Sequence, residues 1–341
     1  MIALVGLYAI GGFLTSTSSK SSSTWSAGAG YPVQVGGTYA VAGQQCVNDG
    51  SYIYCIGGQD ANGGARDEVY AAPSTGNITG WAAETPYPQT VNGQSCVDYS
   101  GYLYCVGGSY DGAGDDIASS YFAPVSTNGT VGSWSATTQF PIPIDSQSCA
   151  ASTGFVYCVG GNNETDGSNA DSTASNSVWY APLSSSGIGS WSQTKAYPEN
   201  VFFTSCLTSG GYIYCLGGVD SNFNPVSVSY SAALSSSGVG PWVQTTAYPI
   251  QASGQACAVS SGYVYCVGGE EGQGSYTGAA YYASVSSGAI GSWSQAAAYP
   301  LSSQTDCVIS SGNMYCVGGF DSSSVGENDG VYYAPLTRLM S

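Results

Sequence analysis

Twelve cysteines are the residues best placed to do chemistry in this sequence. They fall into six pairs whose members always stand nine positions apart: Cys46 and Cys55, Cys96 and Cys105, Cys149 and Cys158, Cys206 and Cys215, Cys257 and Cys266, Cys307 and Cys316. Turn-forming residues lie between them, Asn48-Asp49-Gly50-Ser51 in the first pair and Thr153-Gly154 in the third. A tight hairpin there sets the two cysteines directly opposite each other, within disulfide reach. Each bridge closes a short loop and stabilises by about 2–3 kcal/mol in the chain-entropy account. A zinc site needs four converging ligands at close spacing, and the chain has no histidine to contribute. The expected chemistry is therefore six disulfides, which place the chain in an oxidising setting outside the cytoplasm.

Carboxylates are the second chemical resource. Acidic residues number 21 against 4 basic ones, for a net charge of −17. That balance excludes a nucleic-acid binder, since no basic stripe exists to neutralise phosphates. It also disfavours attraction to anionic membranes. Fifteen of the 21 acids cluster in recurrent loops, from Asp60, Asp67 and Glu68 through to Asp321, Glu327 and Asp329. A solvated acidic surface accounts for them. Calcium is the one ion with candidate ligands, Asp111, Asp115 and Asp116 in one loop and Asp166 and Asp171 in another, because hard cations take clustered oxygens. Their spacing matches no EF-hand. No other cofactor is implied, and acid–base catalysis by histidine is excluded. Three sequons, at Asn77, Asn128 and Asn163, are glycosylation candidates in an exported chain.

The elements that must position these groups are repeats. The stretch Gly101-Tyr102-Leu103-Tyr104-Cys105-Val106-Gly107-Gly108 recurs six times, its glycine pairs ending at Gly58, Gly108, Gly161, Gly218, Gly269 and Gly319. A period near 50 residues is the signature of a repeat architecture. Each copy reads as a strand closed where the backbone must turn sharply or approach a neighbour. Further landmarks keep step: a tryptophan (Trp25, Trp81, Trp134, Trp191, Trp242, Trp293), and six residues later an aromatic-proline pair such as Tyr87-Pro88. Before the tryptophan stands a segment such as Tyr121-Phe122-Ala123-Pro124. One unit is thus four strands, carrying in order the first cysteine, the second cysteine with Gly-Gly, the Tyr-Ala-Pro segment and the tryptophan.

This order of strand, Gly-Gly, variable loop, tyrosine and tryptophan resembles the kelch repeat, over Trp25 to Leu336. The resemblance implies an all-β fold, a six-bladed β-propeller. The chain departs from the family in its disulfide in every unit and in lacking a basic residue near the first strand, where Asn92-Gly93-Gln94-Ser95 precedes Cys96. The last copy stops before a tryptophan strand and Trp25 has no strands before it, so the N-terminal strand is expected to complete the C-terminal blade and close the ring. In a propeller the first strand is innermost, so Gln44-Gln45, Gln94-Ser95, Gln147-Ser148, Thr204-Ser205, Gln255-Ala256 and Thr305-Asp306 should line the axis. The set is polar and nearly repeat-symmetric. Only Asp306 breaks it, which argues for a hydrogen-bonded lining and against a catalytic cluster.

Residues 1–14 are an apolar segment, residues 15–24 a Ser/Thr linker, and residues 25–341 the propeller. The apolar run is short for a membrane span and lacks the basic flank and small-residue cleavage site of an export signal. Its large side chains, Ile2, Leu4, Val5, Leu7, Tyr8, Ile10, Phe13 and Leu14, need burial in something. The expectation is an extracellular or cell-surface structural subunit that self-assembles through this arm into a filament or layer, its partner another copy of itself. Membrane anchoring by the arm is the rival. Two other functions stand beside assembly: a glycan-binding or adhesive propeller, and a carbohydrate-active enzyme of the epimerase type.

Overall fold

The computed structural model describes residues 24–35, 38–39, 41–60, 62–110, 115–163, 173–321 and 327–341. The expected assembly arm, Ile2 to Leu14, lies outside them, as do Asp111, Asp166 and Asp171. The described chain is a six-bladed β-propeller. Blade two is representative: Ser95–Tyr99, Tyr102–Val106, Ser120–Pro124 and Ser135–Ala136 pair antiparallel in that order. Between the first two strands, Ser100 and Gly101 both have positive φ (51° and 78°), the geometry of a two-residue turn that follows the strand twist. Thr153-Gly154, Gly210-Gly211, Ser261-Gly262 and Ser311-Gly312 repeat it.

That turn fixes the register, and the cysteines come out as direct partners in every blade. All six disulfides form within blades: Cys46 bonds to Cys55, Cys96 to Cys105, Cys149 to Cys158, Cys206 to Cys215, Cys257 to Cys266 and Cys307 to Cys316, with Cα–Cα distances of 4.0 to 4.1 Å. The two ends of each bridge differ in place. The first cysteine borders the propeller axis, whereas the second (Cys55, Cys105, Cys158, Cys215, Cys266 or Cys316) is fully buried in the core. Six intrachain bridges are the mark of an oxidising environment.

The glycine pairs are required by close approach. Gly107 and Gly108 have φ of 65° and 103°, and a Cβ on Gly107 would meet the carbonyl oxygen of Ile144 in the next blade at 2.5 Å. The Gly108 N–H uses the same proximity to donate to Ile144 O at 2.9 Å. The core accordingly sits between blades. One cluster joins Tyr54, Ile56 and Val69 of the first blade to Leu103, Cys105 and Ala123 of the second.

The tryptophans tie the outer strands together by one repeated device. The Trp134 indole N–H donates to Thr85 O at 3.0 Å, and its ring meets Tyr87 edge to face at 5.0 Å. Trp25 does the same with Ala297 O at 3.1 Å and Tyr299 at 5.1 Å. Each such ring pair contributes about 0.5–1.5 kcal/mol beyond its buried area. Trp25 leads into Ser26–Ala27, which pairs with Tyr333 and Tyr332 of the sixth blade. The N-terminal strand therefore completes the C-terminal blade and closes the ring. A short helix, Leu336–Leu339, buries Leu336 and Leu339 beside Trp25 and Tyr299. No helix among the described residues is long and apolar enough to cross a membrane.

Candidate functional site at the axial cavity

The innermost strands enclose an axial cavity of about 660 Å³ to which all six blades contribute. Its first layer is the residue two positions before the first cysteine. Gln44, Gln94, Gln147 and Gln255 are nearly fully buried there, and each side-chain amide donates to a carbonyl of the preceding blade: Val317, Ile56, Val106 and Leu216 respectively, all at 2.7 Å. Thr204 and Thr305 are too short to cross and bond within their own blades, to Leu216 O and Val317 O. The next layer works in the opposite sense. Ser95, Ser148 and Ser205 accept the N–H of Cys149, Cys206 and Cys257 in the following blade.

Asp306 occupies this second layer in the sixth blade. Its carboxylate accepts the Cys46 N–H and, at 2.9 Å, the Gln45 side-chain amide. Burial pushes its pKa up to about 7, against the pull of these hydrogen bonds and of the Cys307 N–H. The symmetry breaker visible in the sequence is thus a seam between the last and first blades. A second carboxylate, Asp98, borders the cavity three strand positions further along, about 10 Å in the strand direction. Burial, with a contribution from the charge on Asp49, raises it to about 7 as well. The two are not paired.

The loops carrying the acidic residues follow the glycine pairs, and Gln59 and Phe320, just beyond those glycines, line the same end of the cavity. The acids there largely hold their own loops. Asp60 accepts from Asn62 N and Gly64 N, Asp220 from Asn222 N and Asn224 N, and Glu270 from Gly274 N. Of the calcium candidates that are described, Asp115 is exposed and pairs across a two-strand ribbon with Tyr110, while Asp116 is buried and accepts from Ser109. Among the described residues no three potential metal ligands converge. Asn77 and Asn128 are exposed at corresponding turns of the first two blades. Asn163 is half-buried, and its side-chain amide is engaged with Pro143 O, which leaves it poorly placed for a glycan.

At this end, three positions before the first cysteine, the backbone forms a belt around the axis. The bonds run Gly93 N to Gly43 O, Ser146 N to Gly93 O, Phe203 N to Ser146 O and Gly254 N to Phe203 O, at 2.9 to 3.1 Å. All five residues have φ between 51° and 64°. Phe203 is the bulky one, held left-handed with its ring 39% exposed at the cavity mouth. It packs on buried Phe202 at 5.4 Å, and Phe202 meets the exposed Phe223 at 5.8 Å. Sequence reasoning missed this cluster by reading only the two positions nearest the cysteine. The signal was one position further back, where the six copies read Gly, Gly, Ser, Phe, Gly and Gln.

A solved structure of YjhT shares this fold at a TM-score of 0.71, with 90% of this chain covering 96% of that one at 14% identity. No family model matches the sequence, and no curated protein does.

Proposed function

We propose that the chain is an extracellular, kelch-type propeller that binds glycans at the mouth of its axial cavity. The observation that carries this reading is the cavity mouth, where the half-exposed polar side chains of Gln59, Asn92 and Gln304 stand with the rings of Phe203 and Phe320, the composition that suits an uncharged, polyhydroxylated ligand with an apolar face. Binding is favoured over catalysis because the two carboxylates with raised pKa stand apart and Asp306 is committed to backbone donors. The disulfides, the charge of −17 and the exposed sequons at Asn77 and Asn128 support export and a glycoprotein surface. Screening the full-length, oxidised protein against an immobilised panel of glycans tests this; binding confined to a family of related saccharides is expected, and silence across the panel would overturn it.

The assembly reading keeps one specific observation in its favour. Ser26–Ala27 closes the ring, so the propeller is complete among the described residues, and in this reading the apolar side chains of residues 1–14 make the contact with another copy. Electron microscopy of the intact protein and of a variant lacking residues 1–14 separates the two: filaments or layers that vanish on deletion support assembly, and identical particles refute it.

A further inference from the structure

Repeat symmetry supplies an internal reference for every position, and blade four alone places aromatic residues at the two positions, four and three before the first cysteine, that meet the cavity mouth. Four positions before the first cysteine, Asn92, Asp145 and Ser253 face Ser109, Asn162 and Glu270 across isolated bridges. Blade four puts Phe202 opposite Val219 in the same bridge, an apolar pair that buries against Ala174. One position on, where Gly43, Gly93 and Gly254 adopt the left-handed backbone freely, Phe203 adopts it with a ring attached. Phe223, in the adjoining loop, is also left-handed (φ 59°) and 61% exposed. Two exposed rings held in a conformation that disfavours them, both braced on one buried ring, make a platform that packing alone does not call for.

Charge narrows what could rest on it. The cavity lining contains Asp98, Asp145 and Asp306 and no lysine or arginine. Of the four basic residues in the sequence, Arg66 is occupied by Asp60 and Glu68, Lys195 and Arg338 are exposed away from the cavity, and Lys20 lies outside the described residues. Nothing described at the mouth can compensate a bound carboxylate, sulfate or phosphate, and the surrounding loops are acidic.

The geometry points to a specificity site in which an uncharged hexose stacks its C–H face on Phe203, edged by Phe223, while its hydroxyls meet the polar lining, and from which acidic sugars are excluded. This rests on the glycan-binding reading above and names the residue and the ligand class that would carry it. Aromatic faces take such amphipathic rings, and a saccharide presents polar groups at its edge and carbon-bound hydrogens on its face.

The test compares wild type with Phe203→Gly, which restores the residue found in three other blades, and with Phe203→Trp, which keeps a flat ring. Calorimetric titration uses neutral probes (maltotriose, cellotriose, mannotriose) and acidic ones (trigalacturonic acid, N-acetylneuraminic acid). Phe203→Gly should melt no lower than wild type and bind its neutral probe at least tenfold more weakly, with Phe203→Trp within threefold of wild type; acidic probes should not bind. Neutral binding untouched by Phe203→Gly overturns the platform while leaving glycan binding intact. Tighter binding of an acidic probe overturns the charge selection. No binding of any probe, with a wild-type self-association that Phe203→Gly abolishes, makes the rings a contact between copies and overturns both.

Discussion

Replacing Asp306 with serine gives the sixth blade the residue that three others already use, and the structure says what that should change. In those blades a serine hydroxyl accepts the next cysteine's N–H at 2.9 to 3.2 Å, so Asp306→Ser retains the Cys46 N–H bond across the seam between blades six and one, gives up the bond from Gln45, and removes a half-buried carboxylate. The ordinary carboxyl value is 3.8 and the folded state holds Asp306 near 7. Between those pH values the folded protein therefore binds more protons than the unfolded chain, and its stability falls as pH rises. About three pH units at 1.36 kcal/mol each bounds the loss near 4 kcal/mol for Asp306, with an equal bound for Asp98. Both border the cavity, where solvent screening brings each to about 2 kcal/mol. For a domain of this size 1 kcal/mol moves the melting temperature by about 1–2 °C, so wild type should melt about 4–8 °C lower at pH 7.5 than at pH 4.5. Differential scanning calorimetry at four pH values measures this directly. Asp306→Ser should remove about half the fall, and Asp306→Ser with Asp98→Asn nearly all of it. A melting temperature that rises from pH 4.5 to 7.5, or a slope unchanged in the double variant, would refute the argument.

Other consequences follow from the repeat. The buried Tyr87 hydroxyl makes no hydrogen bond, and Phe140 fills the equivalent place in another blade, so Tyr87→Phe should leave stability unchanged or raise it by about 1 kcal/mol; a loss beyond 1 kcal/mol on urea denaturation contradicts this. Trp25→Ala removes a buried ring, its bond to Ala297 O and its contact with Tyr299, and should cost about 3–5 kcal/mol, seen as a drop in urea midpoint; a near-neutral effect would mean the ring is not closed through Trp25. Non-reducing peptide mapping should recover each cysteine joined to its partner nine residues away, and replacing both Cys96 and Cys105 by alanine should cost about 2–3 kcal/mol with the fold retained. Bridges between blades, such as Cys55 to Cys96, would contradict the hairpin register.

Much of the fold was legible because its determinants are local and repeated six times. The turn residues between cysteines set the register, Gly-Gly marks where blades touch, and the missing tryptophan strand at one end with a surplus one at the other states the closure. The axial lining was legible as polar, yet its logic was not: Gln94 reaching back to Ile56 O is a bond between residues 38 apart in sequence, visible only when two blades are side by side. The acids of the loops read as a solvated surface, and Asp60 and Asp220 prove to cap the loops that carry them. The aromatic platform was the least legible. Left-handed backbone is announced by glycine, and Phe203 hides it. The helix Leu336–Leu339 was also unforeseen, since four residues are too few to show a period.

The central claim is that a glycan is held at the cavity mouth bounded by Asn92, Asp145 and Phe203. Hydrogen–deuterium exchange of the full-length protein, with and without a saturating saccharide from the glycan screen, tests it most directly. Protection should concentrate in peptides covering the segments before Cys96, Cys149 and Cys206 and the loop around Phe223. Protection confined to the outer strands and their tryptophans, or none at saturation, would contradict it.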